Sequence, residues 1–251
     1  MKDNKVIFWS TWSGLEDIVP PQPAKNYIPE WWKNTPAFKP DAPEHILPRD
    51  RGTIKICPSI QDWFSQGYVL PMWCDLHIEL KENGDVKVLG SPSMWEGRQP
   101  QQLFMNPQAY VSWLPEQQKE QVVAIFRPPC PWRIKTPAGY SCYHFPMYYH
   151  FNPDFEVPPG PVWSDEYHTI APQIVLKHYG ETKLKRGTPL CVFVPYKREP
   201  DDTFHYEIKK QDKELQTLDQ KSNLITQTKL IGGYKEMQKD KGGCPMHKEQ
   251  E

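Results

Sequence analysis

The chain has 251 residues, and its 30 basic and 31 acidic side chains leave a formal net charge of -1, so no overall field draws it to nucleic acid or to an anionic membrane. No apolar run approaches the ~18 residues of a membrane span, and Val6–Trp9 is too short for the core of a signal peptide. We therefore expect a cytoplasmic protein whose six cysteines, none of them in a C-x-x-C pair, are reduced thiols.

The distribution of proline and tryptophan indicates the domain organisation. The chain contains 28 prolines, about twice the usual share of ~5%. After Pro200 only Pro245 remains, and all ten tryptophans lie at or before Trp163. This distribution predicts a single β-rich body over residues 1–200, with an extended N-terminal segment, and a polar helical tail over residues 201–251 that ends in a mobile Gly/Lys-rich segment.

Extended segments and short strands dominate the predicted body. Three prolines make Val19–Lys25 extended, and Pro29 suits the first turn of a short helix. From Met72 to Leu80 apolar and polar residues alternate, and Asn83-Gly84 is the preferred pair for a type I′ turn, so residues 72–89 predict a β-hairpin. Further short strands are predicted between the glycine and proline turns of residues 121–136 and 173–194, which together favour a sandwich, a jelly roll or a barrel.

The tail has a helical pattern from about Thr203 to Ile231, where Gly232-Gly233 ends it. Its apolar positions are few and lie at helical spacing: Ile208, Leu215, Leu218 and Ile225. Because a lone helix with so small an apolar face is unstable in water, we expect it to dock on a protein partner or on a second copy of the chain, which would make the protein a homo-oligomer.

One candidate metal site lies on the predicted hairpin. His77 and Glu79 project to the same face of a strand and, with His178 from a later strand, would supply the ligands of a non-haem Fe(II) site. Arg186 would then pair with the carboxylate of a 2-oxo-acid cosubstrate. The alternative is that His77 and Glu79 belong to the solvated face of a half-buried strand and that His178 packs in a core.

A dense strip of aromatic and histidine side chains is the second candidate: Tyr140, Tyr143, His144, Tyr148, Tyr149, His150 and Phe151. Such rings stack on bases or sugars, or form a protein interface, because they are apolar on their faces and polar at one end. Residues 138–158 contain no lysine or arginine, which disfavours nucleic acid and favours protein contact. The alternative is a core seam with tyrosine hydroxyls at its rim.

Several segments carry a resemblance to a known family: Ile28-Pro-Glu-Trp-Trp-Lys, Ile54-Lys-Ile-Cys-Pro, Gly67-Tyr-Val-Leu-Pro-Met-Trp-Cys-Asp, Pro131-Trp-Arg-Ile-Lys-Thr-Pro-Ala-Gly-Tyr-Ser, Lys185-Arg-Gly-Thr-Pro and Pro195-Tyr-Lys-Arg-Glu. Over about residues 19–200 they resemble an uncharacterised family of tailed phages, notably cyanophages, and of some bacteria. The resemblance implies a viral origin, with the protein in the host cytoplasm or in the virion. Pro137-Ala-Gly-Tyr and the Lys185 segment are also similar to the β-clip fold of the dUTPase and dCTP-deaminase group.

The function classes that remain differ in whether the protein is an enzyme. The chain has no Ser-His-Asp order, phosphate-binding loop or dinucleotide fingerprint. The leading hypothesis is a non-catalytic phage-type protein, either a virion accessory or a protein-interaction module. The alternatives are an Fe(II)/2-oxo-acid oxygenase on a double-stranded β-helix and a β-clip nucleotide-binding enzyme.

Overall fold

The computed structural model describes residues 5–43, 45, 48–83, 85–90, 104–105, 114–198 and 207–228. The described residues are mainly β, as predicted, and their strands form four antiparallel sheets. The strands are β1 (Ile7–Ser10), β2 (Gln22–Pro23), β3 (Tyr68–Pro71), β4 (Leu76–Leu80), β5 (Val86–Gly90), β6 (Phe104–Met105), β7 (Ala124–Phe126), β8 (Trp132–Lys135), β9 (Tyr140–Pro146), β10 (Phe155–Glu156), β11 (Gly160–Val162), β12 (Ile174–Leu176), β13 (Gly180–Leu184) and β14 (Pro189–Lys197).

The largest sheet has the order β11-β9-β14-β3-β2, and a second sheet has the order β10-β12-β7-β6. Strands β13, β4 and β5 form a third sheet, and β1 pairs with β8. The helices are short except for the last: α1 (Leu15–Ile18), α2 (Glu30–Asn34), α3 (Pro48–Arg51), α4 (Pro58–Trp63), α5 (Glu116–Lys119) and α6 (Lys213–Thr228). Within the described ranges, 3-10 turns span Ala24–Tyr27, Ile54–Ile56 and Tyr148–His150.

The chain divides into two compact units. One unit comprises Met1–Tyr27 and Gln66–Pro200 and contains all the strands named above. The other comprises Ile28–Ser65 and Asp201–Glu251. The sequence interpretation did not separate Ile28–Ser65 from the β-rich body, and the predicted division of the chain at residue 200 stays a prediction.

The strand unit is built around one hydrophobic core. The predicted alternation places Leu76, Ile78 and Leu80 of β4 inside, whereas His77 and Glu79 lie on the half-exposed face. Strands β7 and β12 are buried along their whole length, which explains why their sequences are continuous apolar runs rather than alternating ones. The largest fully buried side chains are Trp73, Trp132, Phe126, Leu70, Met72, Ile78, Ile134, Ile174, Leu176, Leu184 and Leu190.

The predicted hairpin over residues 72–89 is present, but its loop differs from the prediction. Leu80 pairs with Val86, and the backbone N–H of Lys81 donates to the carbonyl of Asp85 at 2.9 Å. This register leaves three loop residues, 82–84, whereas a two-residue type I′ turn would have shifted the pairing by one position. Asn83 instead accepts a hydrogen bond from the backbone N–H of Asp85 at 3.0 Å, and Gly84 lies outside the described residues.

The three predicted strands of residues 173–194 are also present, and each joins a different sheet. Strand β12 pairs with β7, β13 pairs with β4, and β14 pairs with both β3 and β9. Gly180 and Gly187 have φ angles of 101° and 88°, a backbone conformation that favours glycine, and they lie at or near the transitions between these strands. The glycines therefore redirect the chain from one sheet to the next.

The predicted tail helix is confirmed as α6, although it is shorter than the predicted Thr203–Ile231. The side chain of Asp212 accepts from the backbone N–H of Leu215 at 2.9 Å, which caps the first turn. Ile208 precedes the helix, Leu218 is 55% exposed, and the side chain of Ile225 lies outside the described residues. None of the described helices is both long and apolar enough to cross a membrane.

Candidate functional site

The predicted metal ligands His77 and Glu79 lie on the half-exposed face of β4, as expected for a strand. Nε2 of His77 is 3.4 Å from Oε2 of Glu181 on the neighbouring strand β13. Glu79 is in register with Glu181 on one side and with Lys87 of β5 on the other. These neighbours are polar and ionisable side chains on one face of the sheet.

The third predicted ligand, His178, has other partners. Its Nδ1 lies 2.8 Å from the carbonyl of Tyr179, and its Nε2 lies 3.0 Å from Oδ1 of Asp154. The carbonyl of Tyr179 and then the carboxylate of Asp154 raise the pKa of His178, because both stabilise the protonated ring. The side chain is 40% exposed, so it does not pack in a core. Among the described residues, no three His, Cys, Asp or Glu side chains are grouped so as to hold a metal.

Two of the predicted residues, His77 and Arg186, do line one cavity, which we call the basic groove. The groove has a volume of about 840 Å³, and its lining also includes Trp12, Ile18, Leu89 and Lys185. One wall comes from the loop and helix around residues 12–18, and the others come from β4, β5 and the turn after β13. The volume falls within the range of small-ligand sites, ~300–1,000 Å³.

The cations of the groove are presented by a rigid turn, Lys185–Thr188. The backbone N–H of Thr188 donates to the carbonyl of Lys185 at 3.0 Å, and Gly187 supplies the positive φ of 88°. Gly187 donates to the carbonyl of Met72 at 2.8 Å, and Thr188 accepts from the N–H of Met72 at 2.7 Å. Two of the family-like segments, those that start at Gly67 and Lys185, therefore build one structural unit.

Asp75 adds a further hydrogen bond to this turn. Its Oδ1 accepts a hydrogen bond from the backbone N–H of Arg186 at 2.8 Å. Lys183 pairs with Glu181 at 3.0 Å, whereas no acidic side chain of the described residues pairs with the side chain of Lys185 or Arg186. The groove therefore has two cations available to a ligand.

Cys74 is the thiol that lines the groove, and it is not poised as a nucleophile. Burial, followed by the charge of Asp75, raises the pKa of Cys74 to about 11. The thiolate is the reactive form of cysteine, so this side chain stays an unreactive thiol near neutral pH. The groups that line the groove are thus suited to binding by charge and by apolar contact.

The aromatic strip of residues 140–151 divides between the sheet and the surface. Tyr143 of β9 stacks on Tyr196 of β14, with ring centroids 4.2 Å apart and an interplanar angle of 18°. Further along, the 3-10 turn carries three rings that contact one another, Tyr148, Tyr149 and Phe151, which we call the aromatic cluster. Tyr148 is 65% exposed and Phe151 is 61% exposed, so the cluster is not a core seam.

The backbone under the aromatic cluster is strained. Phe151 has a φ of 48° and a ψ of 44°, a left-handed conformation that bulky residues rarely adopt. The neighbouring His150 is buried on its Nε2, which has no hydrogen-bond partner among the described residues. Burial lowers the pKa of His150, so its ring stays neutral near neutral pH. Pro146, Met147 and Leu190 help to line a cavity of about 280 Å³ below the cluster.

A buried ion pair, which the sequence interpretation missed, anchors the end of β14. Arg198 pairs with Asp165, whose side chain is 7% exposed, and the guanidinium lies 4.6 Å from the ring centroid of Trp163. Oδ2 of Asp165 also accepts from the backbone N–H of Gly139 at 3.0 Å, and Arg198 donates to Ser141 at 3.0 Å. The sequence feature that pointed to this cluster is that Gly139 and Ser141 belong to the family-like segment from Pro131 and Arg198 belongs to the one from Pro195.

Compared with known proteins, the chain matches no family model, and no curated protein matches it. The resemblance to a phage family therefore stays a prediction. The basic groove and the aromatic cluster are the two candidate sites that the described residues offer.

Proposed function

We propose that this chain is a non-catalytic protein-interaction module of phage type, and that the aromatic cluster is its contact surface. One observation supports the proposal: a strained turn holds three mutually touching aromatic rings, two of them more than 60% exposed. Exposed aromatic side chains of this kind are enriched in protein interfaces, because burying one ring removes 150–250 Å² from water at a small entropic cost.

The strain at Phe151 supports a functional use of the turn. A left-handed conformation costs a non-glycine residue on the order of 1–3 kcal/mol, and such residues concentrate at binding and catalytic sites. Here the strained residue carries a ring that is 61% exposed and is not part of the buried core cluster of the described residues. A turn selected for stability alone would place glycine or asparagine at this position.

An oxygenase is not proposed, because His178 contacts Asp154 and the described residues offer no three-ligand group. A second contact surface follows from the tail helix instead. Leu218 is 55% exposed on α6, as a face that docks on a second copy or on a partner requires. Homo-oligomerisation through this helix is part of the proposal, and light scattering of the full chain against Leu218→Glu tests it: the expected result is an oligomer that the substitution converts to a monomer.

The aromatic cluster is tested by site-specific photo-crosslinking in cells that produce the protein at its natural level. A benzophenone amino acid replaces Tyr148 in one variant and Tyr179 in the matched control, since Tyr179 is 46% exposed and lies outside the cluster. The expected result is a discrete protein adduct from position 148 that is absent from position 179 and disappears when Phe151→Ser is added. Identical adducts from both positions, or none from 148, would overturn the proposal.

A further inference from the structure

We propose that the basic groove is a second binding site, which takes an acidic peptide segment: a glutamate or aspartate side chain pairs with Lys185 and Arg186, and an apolar neighbour packs on Trp12 and Leu89. This inference goes beyond the proposed function, because it assigns a different surface and states the chemistry of its ligand.

The first argument for an acidic ligand is the positive charge of the groove. The side chains of Lys185 and Arg186 are adjacent on one turn, are exposed, and have no acidic partner among the described residues. The nearby Lys183 of β13, by contrast, is neutralised by Glu181 at 3.0 Å. A guanidinium binds a carboxylate through two parallel hydrogen bonds, and an adjacent ammonium adds a point charge. The side chains of Lys185 and Arg186 together therefore match one carboxylate.

Apolar exposure carries the second step. Ile18 is 60% exposed and Leu89 is 55% exposed, and both line the groove together with Trp12. Two aliphatic side chains and an indole that line one charged groove indicate a ligand with an apolar group next to its anion. Free inorganic anions would leave these side chains in water, whereas alternating acidic and apolar side chains of a peptide would cover them.

The third argument is the carboxylate of Asp75, which disfavours ligands with several negative charges. Its carboxylate lies in the lining of the same groove and accepts the backbone N–H of Arg186 at 2.8 Å. A phosphate chain brings several negative charges close to this carboxylate, whereas a single side-chain carboxylate brings one. Nucleic acid also needs a longer row of cations than the two that are available here. The groove thus fits a peptide better than a polynucleotide.

Rigidity carries the last step. The turn that presents both cations is fixed by the hydrogen bonds between Met72 and the pair Gly187 and Thr188, at 2.8 and 2.7 Å, and by Asp75. A preformed site loses little conformational entropy when a ligand binds, which favours measurable affinity for a short peptide.

The test uses the full-length chain with ¹⁵N-labelled tryptophan and three soluble peptides: acetyl-SLEWELS-amide, its glutamine analogue SLQWQLS and its lysine analogue SLKWKLS. The indole signal of Trp12, assigned with Trp12→Phe, reports binding. We expect a saturable shift with the glutamate peptide and at least about tenfold weaker binding of the glutamine peptide, since charged hydrogen bonds contribute ~1.5–3 kcal/mol.

Charge variants make the result decisive. The double variant Lys185→Gln, Arg186→Gln should bind the glutamate peptide at least about tenfold more weakly. The double variant Lys185→Glu, Arg186→Glu should lose binding of the glutamate peptide and should bind the lysine peptide instead. Lys135→Glu, an exposed lysine of β8 that does not line the groove, is the matched control and should leave binding unchanged. Equal affinity for all three peptides, no saturable shift with any of them, or full binding by the doubly reversed variant would overturn the inference.

The same variants separate this inference from the proposed function. The doubly reversed variant should keep the adduct at position 148, because Lys185 and Arg186 do not line the cavity below the aromatic cluster. In the unsubstituted protein, binding of the glutamate peptide without any adduct at position 148 would instead count against the aromatic cluster alone.

Discussion

Gly67 offers the sharpest test of the packing between β3 and β14. Its φ is 72°, and a Cβ built on it would lie 2.1 Å from the carbonyl oxygen of Phe193 and 2.8 Å from the carbonyl carbon. In Gly67→Ala the strand β14 would have to withdraw by about 0.9 Å to reach even 3.0 Å, the limit of real Cβ contacts. The left-handed conformation costs ~1–2 kcal/mol and the overpacking ~1–3 kcal/mol, so we expect a loss of about 2–5 kcal/mol of unfolding free energy.

Gly139→Ala is the matched control for this prediction. Gly139 has a similar φ of 81°, and a Cβ there would meet nothing within 4 Å, so only the conformational cost of ~1–2 kcal/mol applies. Urea unfolding followed by tryptophan fluorescence compares the two variants, and the difference between them isolates the clash with β14. Equal losses, within the ~0.5 kcal/mol resolution of such comparisons, would refute the argued contact.

Two further predictions concern ionised side chains. NMR titration should place the pKa of His178 above its ordinary value, and Asp154→Asn should lower it only in part, because the carbonyl of Tyr179 remains. Because the pKa of His178 is raised in the folded state, the stabilisation by this pair is fully present below the unfolded pKa and is lost as pH rises through the folded pKa. Thermal melts at several pH values should show this dependence, and it should be smaller in Asp154→Asn. Asp165→Ala should cost about 2–4 kcal/mol in urea unfolding, because it removes the buried partner of the Arg198 guanidinium and leaves it the exposed carboxylate of Glu166 at 4.0 Å; a loss below about 1 kcal/mol would contradict this.

The fold class and the tail helix could be predicted because both depend on local patterns. The alternation from Leu76 to Leu80 is intrinsic to a strand with one buried face, and the spacing of Leu215 and Leu218 is intrinsic to a helix. The assignment of β12, β13 and β14 to three sheets could not be predicted, since pairing partners such as β7 and β4 lie far away in sequence. Nor does alternation specify whether the loop at Asn83 has two residues or three.

The candidate sites were predictable to different degrees. The aromatic strip was visible as composition, but the exposure of Tyr148 and the strain at Phe151 depend on how the turn leaves β9. Of the three predicted metal ligands and the predicted cosubstrate-binding residue Arg186, the structure brings His77 and Arg186 to one groove, and it places His178 against Asp154. Two-residue spacing on a strand fixes only which face a side chain occupies, so it did not reveal that residues 12–18 help to line the same groove as His77.

The segment after β13 connects the two candidate sites. Lys185 and Arg186 line the basic groove, and Thr188, three residues beyond Lys185, begins the wall of the cavity below the aromatic cluster. Gly187 lies between them with a φ of 88° and open space around its Cβ position, so Gly187→Ala would strain the turn by ~1–2 kcal/mol without a clash. The turn holds the two cations, and Thr188 is hydrogen-bonded to Met72. Such strain should therefore weaken binding of the acidic peptide in the groove, while the photo-adduct at position 148 persists. Loss of both signals in Gly187→Ala would mean that the two surfaces respond as one site.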